Sequence, residues 1–333
     1  MMHTVMQRPS LIFIFLIILL FGLSVLDVCS GSVWMNPFNG HMTAVQGQVF
    51  WQLRLPKMLT AILAGAALSI SGLMMQTLFR NPLAGPYILG VSSGASLGVA
   101  LVTIGGIAAF VGTSFANHLL ITVTAIAGSM LVLLLVLGIA QRVQSNVSLL
   151  IVGMMIGSMA GALVNVLQNF ANPDALKLFI TWTFGSLSSV GWQEMRMMLP
   201  AVMVGIVFSV LLIKSLDGLR LGENYARGVG IRVERVRLGI VLATGLLAGG
   251  VTVFCGPIAF VGVAVPHIAR GILQSSSHRL TLPASALIGA ILLLVCDILC
   301  SLGTYPLPIS TVSALFGAPI IIRIVLHKRH IEK

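Results

Sequence analysis

The chain has 333 residues, of which 57% are hydrophobic and only 8% charged, with a formal net charge of +11. Soluble globular chains run near 45–50% apolar and about a quarter charged, so these proportions exclude a water-soluble domain. The basic residues are spread thinly between apolar runs, which excludes a disordered tail or a nucleic-acid-binding domain. At roughly 20 residues per spanning helix, about 190 apolar residues supply nine or ten spans of an all-α, polytopic membrane protein.

The first element is the apolar run Leu11–Leu26, preceded by Arg8. It is longer than a signal-peptide core, and Val28–Ser32 is a poor cleavage site, so it reads as an uncleaved first span. Hydropathy and helix breakers then place ten spans near 11–30, 58–79, 88–110, 118–140, 147–168, 196–214, 238–254, 258–270, 282–302 and 308–327, all within one transmembrane domain, 1–333. The eighth is too short for a regular crossing and reads as tilted, broken or partly re-entrant. The segment 173–190 reads as a surface half-helix opened by Asn172-Pro173-Asp174. The four cysteines, Cys29, Cys255, Cys296 and Cys300, lie in apolar stretches and read as small buried hydrophobes, with no metal site among them.

Basic residues set the orientation. With a cytoplasmic N-terminus, 15 fall inside: Arg8, Arg80, Arg142, Lys214, Arg220, Arg227, Arg232, Arg235, Arg237, Arg270, Arg279, Arg323, Lys328, Arg329 and Lys333. Four fall outside: Arg54, Lys57, Lys177 and Arg196. Both termini are therefore expected in the cytoplasm. A weak repeat agrees with an even span count. At an offset of 184, TAILAGAALSISG (60–72) matches TGLLAGGVTVFCG (244–256) at Thr60/Thr244, Leu63/Leu247, Ala64/Ala248, Gly65/Gly249 and Gly72/Gly256, and Pro82 falls on Pro266. In ten spans these halves run in opposite directions, an inverted repeat. The glycines spaced by four, Gly90/Gly94/Gly98 and Gly153/Gly157/Gly161, read as helix-packing contacts.

No phosphate loop, dinucleotide fingerprint, HExxH or nucleophile elbow occurs. ATP consumed in transport would have to be bound by another chain. Only Asp27 and Asp297 are acidic residues near spans, both expected close to the interface, which argues against ion-coupled transport. The largest polar feature, Lys214–Arg237, is punctuated by Gly222, Gly228 and Gly230 and fits a docking surface built of short helices. In the fifth span Ser158, Asn165 and Asn169 share one helical face, with Gln168 beside it, and line either a water-filled path or a helix interface. His267 and Arg270, one turn apart after Pro266, suit a structural or partner-facing role.

Four motifs in order identify a resemblance. They are GAALSISGLMMQTLFRNPLAGPYILGVSSGA at 65–95, carrying Gln76, Asn81-Pro82-Leu83-Ala84 and Leu89-Gly90; LGENYARGVG at 221–230; GPIAFVGVAVPHIAR at 256–270; and LPISTVSALFGAP at 307–319, carrying Gly317 and Pro319. The chain resembles the permease subunits of bacterial ABC importers for iron-siderophore complexes, haem and vitamin B12, over essentially its whole length. The resemblance implies ten spans and pairing with a second permease, identical or not, with the translocation path between the two. It implies two cytoplasmic ATPase subunits that dock on Leu221, Gly222, Glu223, Ala226, Arg227, Gly228 and Gly230. It further implies a substrate-binding protein that meets Arg54 and Lys57, a gate around Gln144–Ser148 including Asn146 and Val147, and residence in the inner membrane with lipid as solvent. No cofactor or nucleic acid is implied, and iron-siderophore is the expected cargo, with vitamin B12 or haem as alternatives. Three positions depart from the family pattern: Ser301 stands where many members carry arginine, Pro306 where glutamate is common, and Ser310 where glycine is common.

Overall fold

The computed structural model describes residues 9–31, 34–35, 43–105, 114–143, 145–302 and 307–328, and every regular element among them is helical. Helix α1 spans Pro9–Cys29; α2 (Ala44–Val49) passes through a π-helical turn, Phe50–Arg54, directly into α3 (Leu55–Phe79). A 3-10 turn at Pro86–Leu89 leads to α4 (Val91–Thr103), followed by α5 (Ser114–Ala140), α6 (Asn146–Asn169), α7 (Pro173–Thr183) and α8 (Trp192–Leu211). The short helices α9 (Ile213–Arg220) and α10 (Glu223–Gly228) precede α11 (Val233–Thr244), which continues through a second π turn, Gly245–Gly249, into α12 (Gly250–Cys255). Helices α13 (Val261–Leu273), α14 (His278–Ser301) and α15 (Ile309–Lys328) complete the chain.

Among the described residues, seven helical segments are long and apolar enough to cross a membrane, and the shorter apolar helices Val91–Thr103, Val261–Leu273 and Ile309–Ile322 fill the three remaining expected positions. Some boundaries moved. The second span starts at Ala44, because the capping box at Thr43 and the π turn extend it by more than three turns beyond the expected start. Gly90 ends the 3-10 turn at φ 73°, so the third span begins only at Val91. The half-helix opens as expected, with Asn172 Oδ1 accepting from the Ala175 N–H at 2.8 Å. It stops at Thr183, before Gly185 turns the chain at φ 71°.

Helix α3 is the axle. It is buried along most of its length, and its small residues let other helices touch it backbone to backbone. Gly65 lies against the Gly289 carbonyl of α14, and Gly72 against the Gly262 carbonyl of α13; a Cβ at either glycine would overlap those atoms. Ser69 Oγ donates to the Ser285 carbonyl at 2.7 Å across the same α3–α14 contact. The second seam is α4–α5, where Gly94 meets Gly128 and Gly98 meets the Thr124 carbonyl. Gly90 and Gly157 form a third close approach, and Gly153 meets the Ile88 carbonyl. Gly161 has nothing within 4 Å of where its Cβ would stand, so its place in the four-spaced series is not a packing contact within the chain. The peripheral helices keep apolar side chains outward, as Leu11, Phe15, Ile18 and Phe21 do on α1.

Near one end of the bundle, charge supplements the glycines. Lys57 Nζ lies 2.9 Å from Asp297 Oδ2 and donates to Ser301 Oγ at 2.9 Å, joining α3 to α14. Asp27 of α1 adjoins Asp297, and the two carboxyl-bearing residues are only 6% and 3% exposed. Arg54 donates from Nη1 to the Val28 and Cys29 carbonyls at 2.8 and 3.0 Å. Asp27 and Asp297 are thus packed inside the bundle as part of a charged cluster with Lys57.

Two outcomes follow. Gly72→Ala pushes α3 off α13 and should lower stability by about 1–3 kcal/mol, read as a lower melting temperature of the purified permease in detergent. Lys57→Met removes the cation paired to the buried Asp297 carboxylate and should cost about 3–5 kcal/mol, while Lys57→Arg should recover most of the melting temperature.

Candidate functional site

The glycine-punctuated segment forms a compact double turn. Arg220 ends α9, Gly222 turns the chain at φ 122°, and α10 runs to Gly228 before Gly230 turns it again at φ 84°. A β-carbon is strained in both conformations whatever the space around it. Ala226 is fully buried and anchors α10. Glu223 points inward, 3.6 Å from Arg237 Nη2, and Arg237 also donates to the Val143 carbonyl at 2.7 Å. Arg237 itself is 1% exposed. Glu223 is therefore part of the segment's internal fastening. Arg227 is exposed and pairs with Glu234 at 2.8 Å. The outward surface is apolar: Leu221, Tyr225 and Val229 follow at intervals of four and are 58%, 52% and 58% exposed. The sequence pattern singled out only Leu221 of these three; the interval of four was the signal that would have added Tyr225 and Val229.

Helix α9 is tied to the membrane helices by one carboxylate. Asp217 Oδ1 accepts from the His278 backbone N–H at 2.8 Å and from its Nδ1–H at 2.7 Å, while His278 Nε2 meets Thr77 Oγ1 at 2.8 Å. The chain α9–α14–α3 is thereby continuous. Burial alone would raise the Asp217 carboxyl, but the two hydrogen bonds from His278, with the charges of His278 and Arg220, hold it below its ordinary value of 3.8.

Six of the motif residues meet beside this link. Gln76 Nε2 donates to the Val263 carbonyl at 3.0 Å, and Gln76 Oε1 accepts from Arg270. His267 Nε2 lies 2.8 Å from the Pro82 carbonyl, and Pro266 sits inside α13 one residue earlier. Asn81 Oδ1 accepts from the Leu83 N–H at 2.9 Å, shaping the turn that follows α3. These residues fasten α13 to the end of α3, the structural role open to His267 and Arg270 in the sequence. Gly317 lies elsewhere, against Phe260, where a side chain would collide, and Pro319 is inside α15. Ser310 Oγ donates to the Phe184 carbonyl at 2.6 Å and joins α15 to the end of α7. Pro306 and Gln144 lie outside the described residues.

The polar stripe of α6 faces away from the chain. Ser158, Asn165 and Asn169 are all exposed, and Ser158 Oγ donates only to Met154 of its own helix at 2.9 Å. No hydrogen bond from them to another helix occurs among the described residues, which removes interhelical bonding within the chain as their role. Val147 is 63% exposed at the start of the same helix. Asn146 instead donates from Nδ2 to the Leu78 carbonyl at 2.8 Å and pins the start of α6 to α3. A cavity of about 590 Å³ between α5 and α8, lined by Leu119, Thr122, Glu194 and Arg196 among others, contains none of the stripe residues. Arg54 and Lys57, expected as an outward docking patch, are engaged within the chain by the contacts described above. Ser301, standing where arginine is common, is the acceptor that helps turn Lys57 inward.

This arrangement has close counterparts among known proteins. The chain is 35% identical over 306 residues to the vitamin B12 import system permease proteins BtuC of Salmonella paratyphi A, Salmonella typhi and Salmonella newport, covering 91% of this chain and 91% of each relative. A solved metal-chelate type ABC transporter in an inward-facing conformation superposes with a TM-score of 0.85 at 29% identity, covering 96% of this chain and all of the other. The Streptococcus pneumoniae protein PsaBC shares the general fold at a TM-score of 0.52 and 16% identity. The FecCD transport family matches residues 11–327. With spans, motifs and length in agreement, the chain belongs to the FecCD transport family and is a permease subunit without catalytic machinery of its own.

Proposed function

We propose that this chain is the membrane-spanning half of an ABC importer for a metal chelate, working as a pair of permeases with two ATPase subunits and a substrate-binding protein. The observation that carries the reading is the coupling segment. It is fastened from within by Ala226 and the Glu223–Arg237 pair, yet presents Leu221, Tyr225 and Val229 outward on a stretch otherwise rich in charge. Exposed apolar side chains on a rigid polar loop outside the spans suit a protein partner better than lipid or water. The lipid-side polar stripe of α6 suits a second permease, since unsatisfied polar groups are costly against hydrocarbon. The excess of basic residues at the end that carries α9 and α10 favours that end, and both termini, in the cytoplasm of an inner-membrane protein. Arg54 and Lys57 contribute to a binding-protein contact only if that contact competes with Asp297, Ser301 and the Val28 and Cys29 carbonyls.

For cargo, the permease relatives named above import vitamin B12, which favours a cobalt corrinoid over the iron-siderophore expected from the sequence. The permease should be reconstituted with its ATPase and binding protein in liposomes and supplied with cobalamin, ferric siderophore and haem in parallel. ATP-dependent uptake of cobalamin above the other two is expected; uptake of none, or uptake without the ATPase, overturns the reading. In the same system Tyr225→Asp should lower uptake at least about tenfold while the permease retains its melting temperature, the scale of losing one well-buried interface anchor. Asp217→Asn tests the link to α14. Because the folded pKa is depressed, the wild-type carboxylate stabilises the fold above its unfolded value and loses that contribution as pH falls through the folded value. The melting-temperature gap between wild type and Asp217→Asn should therefore be steady above about pH 5 and close below pH 3.8.

A further inference from the structure

At the end of the bundle that carries α9 and α10, a cavity of about 400 Å³ opens between the ends of α3, α9, α13 and α14. Its lining includes Arg80, Arg220, Arg270, His267, Gln76 and Ser276, and no acidic side chain among the described residues. The three guanidinium groups come from separate elements: Arg80 caps the C-terminus of α3 at φ 48°, Arg220 ends α9, and Arg270 lies in the last turn of α13. Each sits at a helix C-terminus, where a single cation is favoured by the carbonyl ends of the helix. That accounts for each arginine alone but not for their convergence on one cavity. Arg220 and Arg270 are near enough to repel each other. None of the three has an ion-pair partner among the described residues. The nearby carboxylate, Asp217, is committed to His278. Ser276 and His278, at the start of α14, also line the cavity, while the first N–H of that helix is already taken up by Asp217.

We propose that this cavity binds a phosphate group. Planar guanidinium forks match phosphate oxygens in pairs, and the volume exceeds what inorganic phosphate alone fills, leaving room for a small polar group attached to it. A phosphodiester of an anionic phospholipid and a soluble phosphate share this chemistry, and basic pockets at the cytoplasmic ends of membrane helices take lipid headgroups elsewhere. The site stands apart from whatever the permease carries, so failure of the transport reading leaves it untouched.

The test uses the full-length permease in phosphatidylcholine nanodiscs. One arm adds phosphatidylglycerol in steps and counts retained lipid by native mass spectrometry; the other titrates inorganic phosphate and follows the ³¹P resonance. Saturable binding in the first arm alone identifies a lipid headgroup, and in the second alone a soluble anion; either supports the site. The double variant Arg80→Gln/Arg220→Gln changes two exposed side chains and should keep the melting temperature while weakening binding by at least about tenfold, as expected for lost charge-assisted hydrogen bonds. Arg220→Lys should restore part of the affinity. Absence of saturable binding in both arms, or binding unaltered in the double variant, overturns the proposal. So does loss of ATPase assembly in Arg220→Gln without any phosphate binding, which would mean that a carboxylate of the partner occupies the cavity.

Discussion

In hydrocarbon, one helix gains nothing by hiding apolar surface against another, because lipid already provides it. What remains is the close approach of backbones, and α3 is built to allow it. Gly65 against Gly289 and Gly72 against Gly262 bring two helices onto α3 at main-chain distance. Ser69 and Gln76 then add hydrogen bonds to the Ser285 and Val263 carbonyls that only such proximity permits. The rest of the bundle is positioned by this three-helix contact. The α9–α10 segment hangs from α14 through Asp217, and the start of α6 is pinned to α3 through Asn146.

Much of this was legible in the chain because hydropathy and glycine spacing are the two signals that membrane packing uses. An apolar helix stands at each of the ten expected positions, seven of them long enough to cross a membrane, and Asn172 caps α7 as expected. The failures have physical reasons. Gly72 and Gly256 match in the repeat, yet Gly72 is a contact point inside an unbroken helix, whereas Gly256 takes φ 71° and ends α12. Residue type alone does not separate a glycine chosen for absence of a side chain from one chosen for its backbone. The same limit applies to Gly161, which continues a four-residue spacing but touches nothing.

Charge was harder to read than packing. Counting basic residues gives an expectation of which loops share a side, but not of where a flexible cation ends up. Lys57 has a long stem, and two carboxyls and a serine hydroxyl lie within its reach, so it turns inward; no local pattern around residue 57 encodes Asp27 or Asp297. Glu223 is a similar case, since its partner Arg237 lies 14 residues on and becomes adjacent only when Gly222 and Gly230 fold the segment back. At the other extreme, Gln76, Pro82, His267 and Arg270 belong to two motifs far apart in sequence that prove to be two sides of one joint.

The Asp217–His278–Thr77 link bears on how force travels through the molecule. His278 opens α14, and α14 shares main-chain contacts with α3, so a displacement of α9 is delivered to two helices at once. Those two cannot slide past each other without forcing glycine surfaces apart, and they respond as one stiff body. Helix α13 joins the same body through Gly262 against Gly72, whereas α1 meets it largely through side chains such as Asp27 beside Asp297.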